Sequence, residues 1–113
     1  MYDLDYFNNL IIDSYSYFAH LPKEDDVRGP ELLSEHSALT HHYAQTIAEK
    51  QSLNDVIKNL IKDSIPNHLS DKELLAKIIE KLFWQAIAFH DLGKVNQNYQ
   101  RSKMKNTNTN ILN

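Results

Sequence analysis

The residues best placed to do chemistry lie in His90-Asp91-Leu92-Gly93-Lys94 and, upstream, at His36. Six histidines with no cysteine raise a metal question, because imidazole with carboxylate suits zinc, iron, manganese or nickel. His90 follows Ala86 and Ile87 by three or four residues, so it points along the same apolar helix face. Asp91 is rotated from it by about 100°. A long imidazole and a short carboxylate can still converge on one ion between them. Gly93 allows a tight turn that folds Lys94 back toward the same pocket. A buried carboxylate is costly without a partner, and a metal or a lysine relieves that cost. The plainer reading is a core histidine bonded to a backbone carbonyl beside an aspartate cap.

These residues need elements to hold them. Two glycines and three prolines in 113 residues suit an all-helical chain rather than a turn-rich β-protein. Tyr6, Phe7, Leu10 and Ile11 predict a short first helix, followed by an irregular or extended stretch near residues 14–17. A polar loop runs from Leu21 to Pro30. Leu32, His36, Leu39, Thr40, Tyr43 and Ile47 recur every three or four residues, predicting a helix over about 31–50 with these side chains on its core face. Leu53, Val56, Ile57, Leu60 and Ile61 repeat the pattern until Pro66 stops it. Ser70-Asp71-Lys72-Glu73 reads as a capping box with Ser70 at the N-cap. A long stripe from Leu74 to Ile87 leads to His90, with Gly93 as a left-handed C-cap. If the helices of His36 and His90 pack through their apolar faces, the three candidate ligands meet, as in metal sites of helix bundles.

Composition narrows the partners. With 42% hydrophobic and 24% charged residues, the chain is an ordinary globular domain with room for a single core. The absence of cysteine excludes a disulfide scaffold, a cysteine zinc site and a thiol nucleophile. A net charge of −3 argues against nucleic-acid binding by bulk charge, leaving a local basic patch or a metal. No signal peptide or membrane span is expected, which points to a cytoplasmic protein with no membrane partner. Arg101, Lys103 and Lys105 precede an Asn/Thr-rich run, so residues 101–113 read as a mobile basic tail. His41 and His42 are expected to flank the core face and meet solvent, and His68 to lie in an exposed loop. His20 either lines the pocket or packs against Tyr17.

The ordered set of Tyr17-Phe18-Ala19-His20, Glu31-Leu32-Leu33-Ser34-Glu35-His36, Ala88-Phe89-His90-Asp91-Leu92-Gly93-Lys94 and Val95-Asn96-Gln97-Asn98-Tyr99-Gln100 resembles the HD superfamily of metal-dependent phosphohydrolases. Within it, the set is most similar to the HD nuclease domain of the CRISPR-associated helicase-nuclease of type I systems. The resemblance covers about residues 15–100 and implies an all-α, HD-like helical bundle, with residues 1–100 as its N-terminal part. It implies a metal-dependent endo- and exonuclease acting on single-stranded DNA in antiviral defence. Its expected partners are a helicase domain or subunit and a CRISPR surveillance complex. His36, His90 and Asp91 match metal ligands of that family, and Lys94 matches a lysine beside the scissile phosphate. The ion expected is a divalent one: manganese, iron, nickel, cobalt or magnesium. The family carries further histidines and a final aspartate downstream, whereas here no histidine follows His90 and no acid follows Asp91. The bundle is therefore expected to be incomplete. An HD-type nucleotide phosphohydrolase and a catalytically incomplete docking module are the alternatives.

Overall fold

Asp3 starts the first helix by accepting a hydrogen bond from the Tyr6 N–H at 2.9 Å, satisfying one of the open donors of the first turn. The structure, a computed structural model, describes residues 2–11 and 16–108. Helix α1 spans Leu4–Leu10, and its one buried side chain is Phe7. Strand β1, Phe18–His20, pairs antiparallel with β2, Glu31–Leu32, with Phe18 opposite Leu32 and His20 opposite Glu31. The polar loop expected over 21–30 is the connection between these strands. Four more helices follow: α2 Leu33–Lys50, α3 Leu53–Ser64, α4 Lys72–Ala88 and α5 Gln97–Ser102. The 3-10 turn Leu92–Lys94 separates α4 from α5. The class is thus all-α with one small ribbon, and no helix among the described residues is long and apolar enough to cross a membrane.

Helix α2 is the hub, packing against α1, α3, α4 and both strands. Its buried side chains are Leu33, Ser34, Ser37, His41 and Ala48. This is not the expected stripe: Leu39, Tyr43 and Ile47 are exposed. The covered face is the one that carries the two serines and His41, and α1 is among the elements packed on α2. His41, expected in solvent, is consequently only 1% exposed. The Tyr2 ring meets it at 4.6 Å and the Trp84 ring at 6.3 Å. Tyr2, Tyr6, Phe7 and Phe89 complete this aromatic cluster, and a second apolar cluster joins Ile11, Ala19 and Leu33.

Three local expectations are corrected. The capping box does not form, because Asp71 takes a left-handed backbone (φ 57°) and becomes the N-cap itself, leaving Glu73 one position short of N3. Gly93 is no left-handed cap, since no described glycine has positive φ. Instead α4 ends at Ala88 as the hydrogen bonds tighten, from Leu92 N–H to the Phe89 carbonyl and from Lys94 N–H to the Asp91 carbonyl. Nor is the segment from Arg101 a mobile tail. Arg101 and Ser102 belong to α5, and Met104 and Asn106 are buried. The Asn106 amide donates to the Ser16 carbonyl at 2.6 Å and to Gln100 Oε1 at 2.9 Å, so its polar side chain can be buried at little cost. Residues 109–113 of the expected tail lie outside the described residues.

Helices α3 and α4 pack on each other and on α2, yet much of their apolar surface is uncovered. Leu60 is 64% exposed, Leu74 58% and Leu82 57%. The Cα radius of gyration is 17.8 Å, against about 13 Å for a compact domain of this length.

Candidate metal centre

The four residues singled out by spacing come together. Asp91 follows the end of α4, where the tightened backbone turns its carboxylate toward α2. His36 stands in the first turns of α2 and reaches it: His36 Nε2 is 3.0 Å from Asp91 Oδ2. His90 Nε2 is 3.2 Å and Lys94 Nζ 3.3 Å from the same oxygen. Three nitrogens from two segments therefore converge on one carboxylate oxygen. His36, Asp91 and Lys94 are largely shielded, and His90 is the exposed member.

The hydrogen bonds behind these groups fix what they present. His90 Nδ1 lies 2.7 Å from the Ile87 carbonyl oxygen, which can only accept, so this nitrogen carries a proton. In neutral His90 the lone pair is then on Nε2, facing the Asp91 oxygen. Two acceptors at that distance need a proton or a cation between them. The donor set of two imidazoles and a carboxylate fits a divalent metal, and backbone anchoring of the outer nitrogen is the usual support for such a ligand. Lys94 is held from behind as well, donating to the Ala19 carbonyl at 2.9 Å.

Burial, the largest single influence on Asp91, raises its pKa. The Lys94 hydrogen bond and the positive charge of Lys94, His90 and His36 outweigh it, holding the carboxyl below its ordinary value of 3.8. Asp91 is therefore an anion at neutral pH, as a metal ligand must be.

Sequence reasoning missed two participants. Glu31 appeared only as part of a helix start, but its Oε1 is 3.4 Å from His36 Nδ1. Gln100 is fully buried, and its amide spans both backbone groups of Phe18: Phe18 N–H donates to Oε1 and Nε2 donates to the Phe18 carbonyl, each at 2.9 Å. Nε2 also donates to the Lys94 carbonyl at 2.8 Å, which ties the site's turn to β1. His20 takes the pocket side, with its ring 4.7 Å from that of His36. His42 and His68 are exposed as expected.

No family model matches the sequence, and no curated protein or solved structure matches it either.

Proposed function

We propose that the chain holds a divalent ion between His36, His90 and Asp91 and acts on phosphodiester bonds of single-stranded DNA. On this reading it is part of an HD-like nuclease domain that works beside a helicase and a CRISPR surveillance complex. The observation that carries the metal part is the convergence of His36, His90 and Lys94 on a single oxygen of Asp91, with His90 Nδ1 tied to a carbonyl. The substrate and the partners rest on the ordered resemblance of the sequence segments. An ion there would supply Lewis-acid polarisation of a phosphoryl oxygen and activation of water. His36 and His90 would supply neutral nitrogen donors, and Asp91 the anionic charge. Lys94, anchored on Ala19, would present its ammonium to phosphate charge that builds up during cleavage.

The test is metal binding together with cleavage. Wild type should bind manganese or nickel saturably and cleave a labelled single-stranded oligonucleotide. Asp91→Ala should abolish cleavage and the ion held between His36, His90 and Asp91, and His36→Ala should abolish cleavage and metal binding alike. Metal binding with no cleavage under any divalent ion overturns the nuclease reading for this chain.

The exposed apolar surface of α3 and α4 favours a second reading, a helical module that docks on a larger assembly without cleaving anything itself. Asp91→Ala would then leave association with the helicase partner intact.

A further inference from the structure

The strand pairing places His20 directly opposite Glu31, and α2 begins two residues after Glu31, bringing His36 to the same end of the ribbon. One ligand atom from each of His20, Glu31 and His36 lies within 4.8 Å of the other two. We propose that these three residues form a second metal site for a borderline-soft divalent ion such as nickel, cobalt or zinc. It draws on the opposite nitrogen of His36 from the one that faces Asp91.

Three observations carry the assignment. The Glu31 Oε1 to His36 Nδ1 distance of 3.4 Å is long for a hydrogen bond. It matches the roughly 3.4 Å separating two ligands that each sit about 2.1 Å from a tetrahedral ion. The backbone holds all three positions in advance, because a paired ribbon and the first turns of a helix are rigid supports. His20 is exposed and Glu31 half-buried, which leaves both side chains room to rotate and close on an ion. The site also has an entrance: a polar cleft of about 610 Å³ opens beside it, bordered by His20, Lys23, Arg28, Glu31 and Glu35. Three protein ligands with a fourth position open to that cleft is the pattern of an accessible metal site.

A neutral imidazole has one lone pair, so His36 serves one site at a time. The two positions are therefore alternatives that compete for His36. An ion held by His20 and Glu31 leaves the Asp91 position with two ligands, so excess metal works against the site of the proposed reaction. The inference shares His36 with that site and does not depend on hydrolysis.

Calorimetric titration of folded Asp91→Asn protein with nickel tests it, with circular dichroism confirming the fold. This near-isosteric background should still bind one ion. Adding His20→Ala should weaken that residual binding by at least the roughly 10–100-fold that loss of even an outer partner costs. Adding His90→Gln should leave it unchanged. Residual binding that follows His90 rather than His20 overturns the proposal, as does a folded Asp91→Asn protein that binds no nickel. Asp91→Ser gives a second background if the amide disturbs packing. Failure of DNA cleavage alone bears on the proposed function and leaves this site standing.

Discussion

Lys94 donates to the backbone carbonyl of Ala19 at 2.9 Å across the pocket, while its ammonium stands 3.3 Å from Asp91 Oδ2. One side chain thus joins β1 to the carboxylate on which the site is built. The two roles separate experimentally. Lys94→Met keeps most of the volume but leaves the Ala19 carbonyl and the Asp91 charge without their partner. It should cost about 1–3 kcal/mol in urea denaturation. It should also raise the Asp91 pKa, since the Lys94 hydrogen bond is the strongest influence lowering it. A carboxyl titration followed by NMR reads that shift, and an unmoved Asp91 would remove Lys94 from the account.

His41 makes stability depend on pH in a defined direction. Among the described residues, its Nδ1 and the Ser34 hydroxyl are the buried side-chain atoms without a hydrogen-bond partner. Burial above all, with the positive charge of His42 adding, pushes its pKa below the ordinary 6.5. The unfolded chain takes up a proton near 6.5 while the folded chain resists it. Stability from this group is therefore complete above about pH 6.5 and is lost as pH falls through the folded value. Melting temperature should drop between pH 7 and pH 5, and His41→Met should flatten that slope. An equal slope in the variant would place the effect elsewhere.

Gln100→Ala should be among the most damaging single changes outside the charged residues. It strips the partners from both backbone groups of Phe18 and from the Lys94 carbonyl, for a loss of about 3 kcal/mol. Gln100→Glu should fail to rescue it, because a carboxylate cannot donate to two carbonyls. Denaturant midpoints and amide exchange at Phe18 provide the readout. A rescue by glutamate would contradict the hydrogen-bond assignment.

Ser52 links α2 to α3 with φ 55°, a left-handed conformation that costs a residue with a Cβ about 1–2 kcal/mol. Ser52→Gly relieves this at the expense of extra chain entropy in the unfolded state. A net gain of roughly 0.5–1 kcal/mol is expected, visible as a rise of a few degrees in melting temperature. A lower melting temperature would show that the serine side chain contributes more than its backbone strain costs.

The residues that converge, His36, His90, Asp91 and Lys94, were legible as candidates from residue type and spacing, although the α2 face expected to bring them together is not the one that is buried. Helices α1 to α4 were legible from the same periodicity, whereas the short α5, Gln97–Ser102, carries no apolar repeat and was not expected. What periodicity could not convey was which face of α2 would be covered. Leu39, Tyr43 and Ile47 make the more apolar stripe, yet Ser34, Ser37 and His41 are the side chains that are buried. That choice depends on close approach between elements distant in sequence. Glu31 escaped notice because a two-residue strand leaves no alternating pattern to read. Asn106 escaped because a polar side chain in the last residues reads as a solvated tail until its distant backbone partner, the Ser16 carbonyl, is in view. Gln100 stood in a segment read only for its resemblance, and its partner Phe18 lies too far away in sequence for spacing to reveal.

The amide of Gln100 has a consequence for association. Because it engages both the N–H and the carbonyl of Phe18, it occupies the place a third strand would take along β1. A sheet edge left open recruits extended peptide from other molecules, and natural proteins blunt such edges by several devices. Here a single buried side chain plugs the edge at its first residue. Loss of Gln100 would thus do more than loosen the pocket: it would uncover a docking ledge for extended chains.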